Sequence, residues 1–267
     1  VSVAADGKAT IWSSSQGQFM VRAMTGLLTG IPQSNIRAIP AEIGGGFGGK
    51  TIVYLEPLAT ILSKKSGRPV KMVMSREEVF KASGPTCATS MDVKIGAKKD
   101  GTITAAFIEC RYSDGPFPGI WGMLGGMTAW ACYDLKNCKA VGVDVLVNRP
   151  KVAAYRAPSA PMMAFGVEST IDQLAKELDI DPVELRLRNV AKEGTRSSYG
   201  PIYGPIGIEP TLEAVRDHPH MRAKLRKNQG RGMASGFWFN IGGQTCSDLN
   251  IGVDGTVNLT VGTVDVG

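Results

Sequence analysis

The chain has 267 residues, 43% of them apolar and 20% charged, with a formal net charge of +6. That is the balance of a globular protein with a real core, as one large domain or two smaller ones. No run of about 18 uncharged apolar residues occurs, so no helix is expected to cross a membrane, and no basic, apolar leader opens the chain. The positive charge is densest at Met221–Gly232. No aromatic residues are interleaved there for base stacking, so the stretch reads as a solvated basic linker rather than a nucleic-acid surface.

Residues 1–12 alternate around an Asp6-Gly7 turn and predict a hairpin. Residues 17–30 have helical spacing at Phe19, Met20, Met24, Leu27 and Leu28, and stop at Gly30 with Pro32 beyond. "SNIRAIPAEI" reads as a strand interrupted by Pro40, and a glycine loop, "IGGGFGGKT", follows from Ile43 to Thr51. "LEPLATILSKKSG" predicts a helix with Pro57 in its first turn. "PVKMVMS" predicts a buried strand, and the stretch from Ser90 to Asp114 two strands around a Lys-Asp-Gly turn. "NCKAVGVDVLVNRP" predicts another strand.

The clearest helix runs from Met162 to Leu178, with apolar positions at Met162, Phe165, Val167, Ile171, Leu174, Ala175 and Leu178. "DPVELRLRN" follows as a short helix capped by Asp181. Residues 191–231 read as a connection. Strand patterns resume at "ASGFWFN" and "LNIGVDGTVNLTVGTVDV". The mixture predicts an α+β fold of mixed sheets packed with helices. Both ends lie in strand-like patterns, as expected of a piece of a longer polypeptide.

Five cysteines without a C-x-x-C pair argue against a disulfide framework or a zinc ribbon. They read as buried free thiols in a reducing compartment, so the cytoplasm is the expected location.

The glycine loop matches both the phosphate-loop and the dinucleotide pattern. Neither reading has its surroundings. The preceding strand carries Pro40 and Glu42, unlike a central parallel strand. About 20 residues on, where a ribose-binding acid belongs, stand Ser63, Lys64 and Lys65. Bare backbone still allows close approach to a ligand. From the residues alone the loop is an anion or cofactor site, with Phe47 as a pocket wall, or a tight packing turn.

"GGGFGGK" resembles the signature of the molybdenum hydroxylases, the xanthine dehydrogenase and aldehyde oxidase family. In that family a Gln lies thirty-one positions before the loop Phe, as Gln16 does before Phe47. "AYRAPSAPMMAFGVESTIDQLAKELDIDPVELRLRN" matches the family's aromatic-Arg turn, long helix and following motif, and "GTVNLTVGTVDVG" is similar to the start of its next element. The resemblance implies residues 1–224 as most of a first molybdopterin-binding domain, N-terminally truncated, and 225–267 as the opening of a second.

It further implies a molybdenum–molybdopterin cofactor with a phosphate or dinucleotide tail, not ligated by side chains. Gln16, Gly45, Gly46, Phe47, Gly48 and Arg156 would bind it. Taken singly, Gln16 reads as a turn-stabilising amide and Arg156 as a surface or capping ion pair. The family reaction hydroxylates an aldehyde or heteroaromatic ring and passes electrons through 2Fe-2S clusters to FAD on partner subunits or domains. Its catalytic Glu falls beyond Gly267. Glu42, Glu56 and Glu168 offer no substitute, Glu168 reading as solvated or ion-paired, so no catalytic residue is expected here and the fragment alone is expected to be inactive.

Four positions bear on substrate. Purine-oxidising members have a Glu where this chain has Thr51, and an Arg thirty-two positions before the aromatic-Arg turn, at Leu124. Ala157 stands where carbon monoxide dehydrogenases carry Cys, and Pro158 where purine enzymes carry a second Phe. Together they imply a less polar pocket, suited to aldehydes or aromatic heterocycles. The other reading is a non-catalytic scaffold or a cofactor- or nucleotide-binding module of the same fold.

Overall fold

The computed structural model describes residues 1–84, 86–240, 245–264 and 266. The chain divides into two compact units. The first comprises Val1–Pro85, Ala153–Arg156 and Asn240–Gly267, and the second Thr86–Val152 and Ala157–Phe239.

In the first unit, β1 (Ser2–Val3) pairs antiparallel with β2 (Ala9–Ser13), and β2 pairs parallel with β3 (Ile36–Pro40). The expected hairpin turn forms, with Gly7 at φ 82° and its N–H donating to Ala4 O. Pro40 ends an edge strand, the place where a missing N–H costs least. Helix α1 (Gln18–Thr29) stops at Gly30, which is left-handed and donates its N–H to Gly26 O. Helix α2 (Glu56–Ser66) takes Pro57 in its first turn and stops likewise at Gly67. Helix α3 (Arg76–Ala82) opens with a capping box between Ser75 and Glu78.

Ala9, Ile11, Val21, Ile31 and Ile36 form this unit's core. Each large aliphatic among them contributes about 1.5–3 kcal/mol by leaving water. The helix at 17–30 is as expected, but its buried face is not. Val21, Thr25 and Gly26 face inward, while Phe19, Met20, Leu27 and Leu28 are exposed. A Cβ at Gly26 would stand 3.0 Å from Ile31 O, so the inward face takes small residues and the large apolar ones turn outward. A second correction concerns "PVKMVMS". It forms no strand, and Val73 is 76% exposed, because no neighbouring strand lies along it among the described residues. Near the chain's end β7 (Ser247–Ile251) and β8 (Val257–Val261) make the expected hairpin. Asp265 and Gly267, in the terminal motif, lie outside the described residues.

In the second unit, β4 (Thr89–Ala97) pairs antiparallel with β5 (Ile103–Gly115), and β5 parallel with β6 (Cys138–Leu146). Helix α4 (Trp121–Thr128) lies against β6, and α5 (Ala160–Leu178) against β4. Met163, Val167, Ile171 and Ala175, spaced by four, bury one face of α5 in the main core with Ile108, Cys110, Tyr112 and Trp130. Phe165, expected among the apolar positions, is instead 71% exposed.

Helix α6 (Pro182–Asn189) is capped as predicted, Asp181 accepting the N–H groups of Val183 and Glu184. The stretch read as a bare connection contains α7 (Ile208–Asp217), which buries Leu212. The strand expected at "ASGFWFN" is absent; Phe237 and Phe239 pack on Tyr199 at ring separations of 5.7 and 5.4 Å, a side-chain cluster that replaces sheet pairing. The mixed sheets packed with helices are the predicted fold class. All five cysteines are free; three are buried, whereas Cys138 is half-buried and Cys246 exposed.

Candidate functional site

The turn that follows β2 is bound along its length to the glycine loop. Gln16 N–H donates to Lys50 O at 2.9 Å, and Ser15 Oγ to the same oxygen at 3.1 Å. In return Gln16 Oε1 accepts the N–H groups of Gly48 at 2.8 Å and Lys50 at 3.1 Å. Two donors on one side of the carboxamide identify that atom as oxygen. The Nε2 donor is thereby turned away, and it has no acceptor among the described residues.

Glycine is required here for space and for backbone angle. A Cβ at Gly46 would overlap the Gln16 side chain, and one at Gly48 would sit 3.1 Å from the Ala154 carbonyl. Gly44, Gly45 and Gly48 have φ of 67°, 116° and 98°. Phe47 itself is left-handed at φ 52° and 53% exposed, which for a bulky side chain is strained backbone. Its carbonyl accepts the Arg156 N–H at 2.7 Å, and its ring lies 6.4 Å from that of Tyr155. Gly46 N–H donates to Val266 O at 3.2 Å. The main-chain N–H groups of Gly45 and Phe47 have no acceptor among the described residues.

The tertiary fold thus brings Gln16, Gly46, Phe47, Gly48 and Arg156 together in the first unit. Arg156 is exposed, with φ 21°, and its guanidinium makes no hydrogen bond among the described residues. Thr51 lies on the loop's far end, where its hydroxyl donates to Gly48 O at 2.8 Å. Leu124, half-buried on α4, and Ala157 and Pro158, half-buried before α5, belong to the second unit. Ala157 at φ 57° and Ser159 at φ 70° continue the strained turn that begins at Arg156. Three partners escaped the sequence reading: Lys50 through its N–H, Ala154 through its carbonyl, and Val266. The glycine pair flanking Phe47 was the available signal, since each glycine there answers a close approach.

Neither nucleotide pattern is realised. Lys50 Nζ is bound to Ile43 O, and the helix after the loop begins only at Glu56. The carboxylates have structural partners as well. Glu56 accepts Ser13 Oγ at 2.5 Å and Tyr54 N–H at 2.8 Å. Glu168 is 4% exposed and bound to Tyr133 OH, to Arg186 Nε at 2.8 Å and to Ser235 N–H at 2.7 Å. Of the two expectations for Glu168, the ion pair is correct, and it is fully internal. The buried thiols are held protonated. Burial raises Cys87 to about 11 and Cys132 to about 12.

Residues 1–190 match the family model of the molybdopterin cofactor-binding domain. The chain belongs to this family. The domain is 32% identical over 288 residues to the xanthine dehydrogenase molybdenum-binding subunit of Escherichia coli O157:H7, an alignment covering 98% of this chain and 37% of that subunit. It is also similar to the solved aldehyde oxidoreductase of Desulfovibrio gigas, with a TM-score of 0.75 and 28% identity over 80% of this chain and 24% of that one. The aldehyde oxidoreductase of Desulfovibrio desulfuricans shares the fold at a TM-score of 0.84, with 24% identity over 97% of this chain and 30% of that one. The chain therefore spans well under half the length of these relatives. Among the described residues no helix is long and apolar enough to cross a membrane.

The loop fits a molybdopterin. Its glycines leave a bare main-chain cradle, its Gly45 and Phe47 N–H groups are uncommitted, and the Gln16 amide has a spare neutral donor. Those are the donors an anionic, oxygen-rich cofactor needs.

Proposed function

We propose that this chain is part of the large subunit of a molybdenum-cofactor-dependent oxidoreductase that hydroxylates an aldehyde or aromatic heterocycle. One observation carries the reading. Gln16 Oε1 is held by the Gly48 and Lys50 N–H groups, which leaves its Nε2 as an untitratable donor with no acceptor among the described residues. The cofactor, when bound, supplies the oxidation chemistry and takes up the substrate's two electrons.

The chain's own residues bind and orient. Gln16 Nε2 would supply a neutral donor to an oxygen of the cofactor. The Gly45 and Phe47 N–H groups, with the bare surface of Gly46 and Gly48, would hold the cofactor, and Arg156 would add positive charge to the site. Neutral donors stabilise charge developing on oxygen without being titrated themselves. Each of Thr51, Leu124, Ala157 and Pro158 is a weakly polar or apolar side chain, and at Thr51 and Leu124 a purine would need a charged partner. A purine edge left unpaired there would cost about 1–3 kcal/mol per group, so aldehydes and simple heterocycles are favoured.

Neither Glu56 nor Glu168 serves as the base. Glu56 and Glu168 are committed to internal hydrogen bonds, and the base comes from the second molybdopterin-binding domain, which opens after residue 224. The cofactor tail is a phosphate or a dinucleotide. Electrons leave through 2Fe-2S and FAD centres on partner subunits or domains, in the cytoplasm.

Molybdenum and phosphorus analysis of the complete subunit, with turnover of aldehydes and N-heterocycles followed by dye reduction, tests the proposal. Stoichiometric molybdenum with aldehyde turnover is expected. A subunit without molybdenum from molybdate-supplied cells would instead be a non-catalytic scaffold. Xanthine turnover at a comparable rate would overturn the pocket assignment.

A further inference from the structure

The peptide group between Gly49 and Lys50 is held at both ends. Tyr54 OH donates to its carbonyl, Gly49 O, at 3.0 Å. Its N–H, that of Lys50, donates to Gln16 Oε1 at 3.1 Å. A trans peptide is a rigid plate whose C=O and N–H point opposite ways, so the two side chains grip that plate from opposite sides. Gly49 O has no other hydrogen-bond partner among the described residues. Without the hydroxyl the plate is free to turn about the Gly49 and Lys50 main-chain bonds, and glycine resists such a turn least.

Tyr54 is itself anchored. Its hydroxyl accepts the Gly84 N–H at 3.3 Å, just beyond α3. With one donor and one acceptor assigned, the hydroxyl proton is directed to Gly49 O. The Tyr54 N–H donates to Glu56 Oε2 at 2.8 Å, and the other oxygen of that carboxylate accepts Ser13 Oγ at 2.5 Å, from the last residue of β2. The links therefore run from β2 through Ser13, Glu56 and Tyr54 to the glycine loop. They return through the Lys50 N–H to Gln16, in the turn that follows β2.

We infer that Tyr54 is a positioning residue for the Gln16 carboxamide, acting through the Gly49–Lys50 peptide. The inference rests on the proposed role of Gln16 Nε2 as a donor to the cofactor, and adds the group that orients that donor. Two N–H groups on Oε1 hold the amide in one orientation. When the plate turns, only the Gly48 N–H remains, and the amide pivots about that single bond. A full turn puts Gly49 O where the Lys50 N–H stood, and two facing oxygens repel. The amide then reverses and spends Nε2 on the loop.

Tyr54→Phe removes the hydroxyl and keeps the ring, and two measurements on the complete subunit read the result. Exchange of the Lys50 amide should speed by roughly 10-fold, the hold of about one hydrogen bond. The kcat per bound molybdenum should fall by roughly 10-fold with KM unchanged. A merely structural role would lower the molybdenum content and leave kcat per molybdenum alone. In a Gln16→Ala background, Tyr54→Phe should have no further effect on kcat per molybdenum, because the residue it acts through is gone. Unchanged Lys50 exchange, unchanged kcat per molybdenum, or the same loss of kcat in both backgrounds would each overturn the inference. Failure of the cofactor reading shows as absent molybdenum with the Lys50 effect intact. Failure of the positioning role shows as unchanged Lys50 exchange with molybdenum in place.

Discussion

The carboxamide oxygen of Gln16 accepts the main-chain N–H of Gly48 at 2.8 Å across thirty-two positions of sequence. With the Lys50 N–H on the same atom, it couples the turn after β2 to the glycine loop and sets which end of the amide remains available. Separating the two roles needs two substitutions. Gln16→Ala removes both acceptor and donor, and should cost about 1–3 kcal/mol through the unsatisfied loop amides. Gln16→Glu keeps the acceptor and loses the donor. Both should lower turnover of the complete subunit, but only Gln16→Ala should speed amide exchange at Gly48 and Lys50. Unchanged kcat in Gln16→Glu would remove the donor role.

The loop glycines should differ sharply from one another. Gly44→Ala meets open space and pays only for its left-handed φ, about 1–2 kcal/mol. Gly46→Ala places a Cβ on the Gln16 side chain and should abolish molybdenum retention while shifting the melting temperature modestly. Equal molybdenum content in the two variants would show that the loop is a packing turn.

The internal ion pair gives a stability prediction free of cofactor. Arg186 is fully buried, its Nε bonded to Glu168 and its second nitrogen to Asp172 at 2.8 Å. Glu168→Ala leaves the buried cation with only the half-exposed Asp172 as counter-charge, strips Tyr133 OH and Ser235 N–H of their acceptor, and should cost about 3–5 kcal/mol in urea unfolding. Arg186→Met alone should cost a similar amount. The double variant should be less damaged than the sum of the two.

Thiol chemistry should follow burial. Cys246 is exposed and should react first with an alkylating reagent, while Cys87 and Cys132 should wait for unfolding. Their folded pKa values, about 11 and about 12, lie above the ordinary 9.0. An acid whose pKa is raised by folding stays neutral while its unfolded counterpart ionises. Their contribution is therefore intact below pH 9.0 and lost as pH rises through 11 to 12, which alkaline unfolding curves at fixed urea would register. A flat profile from pH 8 to 11 would contradict it.

Much of the secondary structure was legible because its signals are local. Gly30 and Gly67 stop helices by adopting left-handed angles that other residues resist. Asp181 caps α6 through its own side chain. Where a reading failed, the deciding partner was distant in sequence. "PVKMVMS" has the alternation of a strand but no main-chain partner beyond Val70 among the described residues. "ASGFWFN" spends its aromatic residues on Tyr199 and Tyr203 instead of on a sheet. Phe165 and Leu27 have helical spacing, yet spacing alone does not say which side of a helix meets the core.

The candidate site divides the same way. By itself the sequence determined that a bare glycine loop surrounds Phe47, since glycine content needs no partner to be read; that Gln16 and Arg156 belong with it was what the resemblance to the molybdenum hydroxylases implied. Only the tertiary structure decided that Gln16 gives its oxygen to the loop and keeps its nitrogen without an acceptor among the described residues, that Lys50 serves through its main chain while its ammonium is tied to Ile43, and that Glu168 is an internal partner of Arg186. The physical reason is reach. Caps, turns and left-handed glycines are settled within a few residues, whereas the direction of an amide and the fate of a charge depend on donors that folding brings from tens of residues away.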